Sequence, residues 1–270
     1  MKKVTVLLIL FFITLSSSLF AQDTTNFQLI KNIATQADFF TTDNQSNVYA
    51  VKANVLTKFD KKGKLLYKYS NKNFGDISFV DASNMMKILL FYKSYLVTVF
   101  LDNTLSQNGD PISFDKLGFI QTQLVCSSNN SSMWIYDQQN LQLIRLDQNL
   151  VPTQKTGNLS VLLNMSLQPD ALIEYDNKVY LNNPGSGILI FDIYGTYYKT
   201  IPVKDVKQFQ PFNGRVFYTK GTDIKAYDLK TADEFEYQAP VNKFKNFRLE
   251  MGVLVVQNDS IIQLFAPKTE

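Results

Sequence analysis

Short alternating apolar runs, each closed by turn-forming residues, recur along the chain, and one of them repeats in a fixed form. Leu56-Thr57-Lys58-Phe59-Asp60 alternates as a half-buried strand does and stops on an aspartate. The figure returns as Val99-Phe100-Leu101-Asp102, Leu143-Ile144-Arg145-Leu146-Asp147, Leu189-Ile190-Phe191-Asp192 and Ile224-Lys225-Ala226-Tyr227-Asp228. A sixth copy, Ile262-Gln263-Leu264-Phe265-Ala266, keeps the strand and loses the aspartate. The terminal positions 60, 102, 147, 192, 228 and 266 lie 42, 45, 45, 36 and 38 residues apart. A period of that size predicts a repeat architecture.

The first unit reads as four short strands joined by hairpins. Residues 37–41 open it, and the dense turn cluster 43–47 leads to Val48-Tyr49-Ala50-Val51. The repeat strand follows, then Asp60-Lys61-Lys62-Gly63 as a tight turn, then an outer strand at 65–69. The later units overlay on this plan, with openings at 77–80, 119–125, 171–175 and 244–249. In the fourth, 182–187 reads as a loop, and in the fifth Asn213-Gly214 is a strong hairpin signal. Residues 85–101 look almost membrane-like, but Lys87 and Lys93 interrupt the run, so two packed strands are expected.

The sixth unit runs out of chain before its fourth strand, while 27–33 is an unassigned strand at the other end. Pairing the two would close a ring and protect sheet edges. The fold expected is all-β: a six-bladed β-propeller of four-stranded antiparallel blades, its last blade closed by the N-terminal strand. Residues 22–270 shared among six units give about 41 each, within the range of propeller blades. One miscounted unit would make the number five or seven. The figure Asp43-x-x-x-Asn47-Val48-Tyr49 through Phe59-Asp60-x-x-Gly63 resembles six-bladed propellers of the NHL-repeat type. Gly63 has a counterpart at Gly195, whereas Asp102, Asp147 and Asp228 lack a glycine three places on.

Residues 1–21 read as a bacterial secretory leader: Lys2 and Lys3, an apolar run over 4–15, serines at 16–18 and a cut after Ala21. Export to the periplasm, the outer membrane or the medium is expected, with one propeller domain over 22–270 and no membrane span after cleavage. Losing Lys2 and Lys3 lowers the net charge from +3 to +1. Only Arg145, Arg215 and Arg248 supply guanidinium, and no basic stripe exists, which argues against nucleic acid. The lone Cys126 reads as a small buried strand residue.

The chain has no histidine, so Ser–His–Asp and Cys–His chemistry and imidazole zinc sites are excluded. Gly185-Ser186-Gly187 reads as a turn rather than a dinucleotide site. The repeated aspartates read as turn caps, which accept backbone N–H groups two or more residues on. A non-catalytic binding or scaffold role is therefore expected, with a partner protein first and carbohydrate second, and no cofactor. The turns after each second strand should share one face. They and the strand leading to Asp137 offer Tyr92, Tyr95, Trp134, Tyr136, Asp137, Asn182, Asn183 and Lys220 as ligand-binding candidates. Trp134 also suits a core position between blades. The alternative rests on resemblance: some propellers of this shape are calcium-dependent lactone or ester hydrolases. Their ligands cannot be matched here. Asp170, Glu174 and Asp176, evenly spaced on one strand, are the calcium candidates.

Overall fold

The computed structural model describes residues 27–268 apart from 222 and 251, so the expected leader lies outside the described residues. Strand β1 (Phe27–Ala34) comes first. Blade 1 is then β2 (Phe39–Thr42), β3 (Val48–Lys52), β4 (Val55–Phe59) and β5 (Leu65–Ser70). Blade 2 is β6 (Phe79–Asp81), β7 (Ile88–Tyr92), β8 (Val97–Leu101) and β9 (Ile112–Ser113). Blade 3 is β10 (Thr122–Ser127), β11 (Met133–Asp137), β12 (Gln142–Leu146) and β13 (Pro152–Lys155). A short helix, α1 (Leu159–Leu163), interrupts the passage to blade 4. That blade holds β14 (Ala171–Tyr175), β15 (Lys178–Asn183), β16 (Gly187–Asp192) and β17 (Tyr197–Ile201). Blade 5 is β18 (Phe209–Phe212), β19 (Arg215–Lys220), β20 (Asp223–Asp228) and β21 (Glu234–Tyr237). Blade 6 supplies β22 (Asn246–Glu250), β23 (Val253–Gln257) and β24 (Ile261–Pro267), and β1 completes it from the far end of the chain.

The fold is the expected one: six four-stranded antiparallel sheets in a ring. Each copy of the repeated figure lies on the third strand of its blade. The register of β1 on β24 runs from Phe27 opposite Pro267 to Ala34 opposite Ile261, and a bulge turns Ile30 outward. Two expectations shift in detail. The first strand of blade 3 begins at Thr122, because 114–119 is held in a turn by Phe119 N donating to Phe114 O. The loop expected over 182–187 shrinks to a turn at 184–186, because Asn182 and Asn183 extend β15 and pair with Ile188 and Gly187.

There is no single central core. Six apolar clusters sit between neighbouring blades, one at each interface. Middle strands are covered on both faces, which is why β7 and β8 are buried along their whole length. That double burial accounts for the membrane-like run in the sequence. A turn over Lys93–Tyr95 divides it into the two strands.

Turns joining first to second and third to fourth strands share one face, termed here the hairpin face. Turns joining second to third strands share the opposite face with the passages between blades, the connection face. On the hairpin face the repeated aspartates cap their turns. The Oδ1 atom of Asp60 accepts from the amides of Lys62 and Lys64, that of Asp102 from Thr104 and Ser106, and that of Asp147 from Asn149 and Val151. Asp192 and Asp228 do likewise. Where glycine is missing the backbone still turns left-handed, at Leu105 (φ 61°), at Leu150 (φ 64°) and, four places after Asp228 in a turn one residue longer, at Ala232 (φ 65°). Leu105 and Leu150 pack into the apolar clusters on either side of blade 2, which offsets the strain. Ala232 is exposed and gains no such burial.

Ala232→Gly should therefore stabilise the protein by about 0.5–1 kcal/mol, since a left-handed non-glycine residue costs ~1–2 kcal/mol and glycine returns part of that as chain entropy. A urea midpoint unchanged or lowered would contradict this account of the turn. Ile33 on β1 is buried in the cluster between blades 6 and 1. Ile33→Ala should cost ~2–5 kcal/mol in the same titration, whereas a loss typical of a frayed terminus would show that β1 does not close the ring.

Candidate functional site

Residues of β2, β6, β14, β18 and β22 line a cavity of about 220 Å³ on the ring axis, opening toward the hairpin face. Its polar side chains are set by alternation. In Phe247-Arg248-Leu249-Glu250, Phe247 is buried in the cluster between blades 5 and 6 while Arg248 and Glu250 line the channel. Most of these groups tie one blade to the next. Arg248 Nη2 donates to Thr41 Oγ1 at 2.9 Å, and Thr42 Oγ1 donates to Glu250 Oε1 at 2.8 Å, both across the closure between blades 6 and 1. Gln210 clasps Leu249 from blade 5, donating to its carbonyl and accepting from its amide, each at 2.8 Å. Asp81 Oδ2 accepts from Ser127 N at 2.8 Å, joining blades 2 and 3. Glu174 Oε2 accepts from Trp134 Nε1 at 2.8 Å, joining blades 4 and 3.

Arg248 has no carboxylate within ion-pair distance among the described residues. Burial pulls its pKa below the ordinary value, against the fields of Glu250 and Asp81. Burial raises the Glu250 carboxyl, and the Thr42 hydrogen bond and Arg248 oppose it. The channel therefore offers a guanidinium with spare donors among carboxylates held mainly as structural acceptors. Arg248 and Gln210 were not singled out from the sequence. The readable signal was a polar residue at alternate positions of a blade's first strand.

The turns after the second strands do share one face, but most candidates there point inward. Tyr92, Trp134, Tyr136, Asp137, Asn182 and Asn183 are buried. Asp137 caps its own turn through Gln139 N, Asn140 Nδ2 and Gln142 Nε2. Asn182 donates to Asp170 Oδ1 and Val206 O. Asn183 holds the passage between blades 3 and 4 through Gln168 N and Ser166 O. Trp134 lies in the cluster between blades 3 and 4, and burial pushes the Tyr136 phenol up to about 12. Tyr95 and Lys220 are the exposed members. Cys126 is buried, and burial drives its thiol far above the ordinary value.

Asp170, Glu174 and Asp176 are not brought together. Asp170 pairs with Asn182 just before β14, Glu174 meets Trp134 near the strand's other end, and Asp176 stands in the following turn at φ 48°. Among the described residues no group of three or more acidic, cysteine or histidine side chains is placed to hold a metal ion.

No protein-family model matches the chain, and no curated protein matches it either. Solved structures do. BamB from Moraxella catarrhalis aligns at TM-score 0.53 and 12% identity, over 86% of this chain and 83% of that one. A virginiamycin B lyase from Staphylococcus aureus aligns at 0.59 and 12%, over 90% of each. A gluconolactonase from Xanthomonas campestris aligns at 0.60 and 12%, over 88% and 89%. What is shared is the propeller. At such identity the likeness carries no activity, and it agrees with the NHL-type resemblance of the first unit.

Burial raises the pKa of Asp170, with the Asn182 hydrogen bond opposing. A carboxyl whose folded pKa is raised contributes stability in full below its ordinary value of 3.8, and that contribution is lost as pH rises through the folded value. Asp170→Asn should accordingly gain stability relative to wild type between pH 3.5 and pH 7, then level off. Urea titrations followed by Trp134 fluorescence test this, and an equal difference at both pH values would refute it.

Proposed function

We propose that this protein is an exported, non-catalytic binding or scaffold propeller of the bacterial cell envelope, docking a partner protein on its connection face. One observation carries the reading. Large apolar side chains stand exposed on that face across consecutive blades: Tyr95 (56% exposed), Ile120 (56%), Val161 (78%) and Leu162 (64%). Val161 and Leu162 come from α1, in the passage from blade 3 to blade 4. Grouped apolar exposure on a rigid scaffold is typical of docking surfaces. Export rests on the leader-like residues 1–21, and no described helix is long and apolar enough to cross a membrane. The channel side chains support a binding role, because their carboxylates serve as acceptors between blades.

The experiment is retention of envelope proteins by the tagged mature chain, compared with Val161→Asp/Leu162→Asp. Both positions are exposed, so the variant should fold normally and retain its specific partner at least tenfold less. Undiminished retention would place the interface elsewhere. Stoichiometric calcium in the purified protein, with ester or lactone hydrolysis dependent on it, would overturn the non-catalytic reading.

A further inference from the structure

The hairpin face carries a second concavity, of about 460 Å³, beside the channel mouth. Three first-to-second-strand turns build it: 82–87 of blade 2, 128–132 of blade 3 and 176–177 of blade 4. Its rim presents Asn84, Asn129, Asn130, Ser131, Asp176 and Asn177, and every lining side chain carries a polar group. Glu174 and Tyr175 line both this basin and the channel.

The turns are locked together. Asn129 Nδ2 donates to Asn177 Oδ1 at 3.2 Å and Asn129 N to Glu174 Oε1 at 3.3 Å, while Lys87 Nζ reaches Ser131 O at 3.2 Å. Asn130, Ser131, Asp176 and Asn177 all have left-handed backbones, which fixes how the tips project. The ionic groups behind them are engaged. Arg145 is bound to Ser128 Oγ and Asn129 O, and both Glu174 oxygens accept hydrogen bonds. Left facing solvent are the Asn130 amide, the Asp176 carboxylate, and the amide nitrogens of Asn84 and Asn177. Among the described residues these have no hydrogen-bond partner.

The geometry points to a neutral saccharide as the ligand of this basin. An apolar ligand would displace water from amides and hydroxyls without replacing its hydrogen bonds, and would lose affinity. Adjacent sugar hydroxyls both donate and accept, which matches amide groups that do the same. The volume falls within the ~300–1,000 Å³ of small-molecule sites, and a site tied across three blades pays little ordering cost on binding. Tyr175 adds a ring whose own hydroxyl is occupied by Asn213 N. The site is on the opposite face from the proposed protein interface and is independent of it.

The test is calorimetry of the mature chain against maltotriose, cellotriose, mannotriose and tri-N-acetylchitotriose. The matched variant is Asn130→Gly/Asp176→Gly. Glycine accepts φ 57° and 48° without strain, and neither side chain bonds another turn, so the variant removes an amide and a carboxylate from the rim and keeps the bonds between the turns. We expect saturable binding of at least one trisaccharide, unchanged by a calcium chelator and weakened at least tenfold in the variant. A far-ultraviolet spectrum and urea midpoint like wild type would exclude unfolding as the cause. No saturable binding to any of the four, or binding that the variant leaves intact, overturns the proposal.

Discussion

Closure of the ring depends on the antiparallel pairing of residues 27–34 with 261–267. An open row of twisted sheets would leave the sixth blade's third strand as an edge and expose one side of two blades. With β1 in place, the sixth interface forms its own cluster, joining Ile33, Val255, Ile262 and Leu264 to Phe40, Val48, Ala50 and Phe59. Contacts between two strands at opposite ends of the sequence thereby stabilise all six interfaces together. The polar side chains follow the same logic: Arg248 to Thr41 and Thr42 to Glu250 span the closure as channel counterparts of the outer strand pairing.

Much of this architecture was legible because the constraint acts on the same position of every unit. Third strands pack against a neighbouring blade in every unit, so apolar residues recur at their buried positions, and the first five lead into a turn that an aspartate caps. The missing aspartate at Ala266 follows from the topology, since after β24 no tight hairpin has to lead into a fourth strand. The glycine three places after the aspartate was less legible. Leu105 and Leu150 take its left-handed conformation because burial offsets the strain, and that exchange depends on a neighbouring blade. Gly187 shows the opposite case. A Cβ there would stand 2.1 Å from Ile201 O, a close approach invisible in a sequence that reads only as a turn.

The candidate sites were legible in position and not in direction. Sequence reasoning placed Tyr92, Asp137, Asn182 and Asn183 at turns that share one face, as they do, yet a turn's location does not say which side chains face water. Asn182 and Asn183 turn inward because the passages on either side of blade 4 have backbone groups that need partners: Asn183 serves Gln168 N and Ser166 O before the blade, and Asn182 serves Val206 O after it. Trp134 follows the same rule. Its indole fills the interface between blades 3 and 4, and its one N–H finds Glu174.

Glu174 shows how the scaffold and its surfaces are linked. Removing its carboxylate would leave the Trp134 N–H without a partner, at a cost of roughly 1–3 kcal/mol, and would leave Asn129 tied to blade 4 through Asn177 alone. The same side chain lines the channel and the polar basin, so a group required for packing also sets the spacing of the two asparagine turns. In a propeller the blades repeat what stability needs, and the turns are free to diverge once their bases are fixed. Asn/Ser-rich turns tied across blades 2, 3 and 4, and apolar side chains exposed over the same blades on the opposite face, are such divergences. Neither is needed to close the ring, and so both faces are where selection for binding can act without opening it.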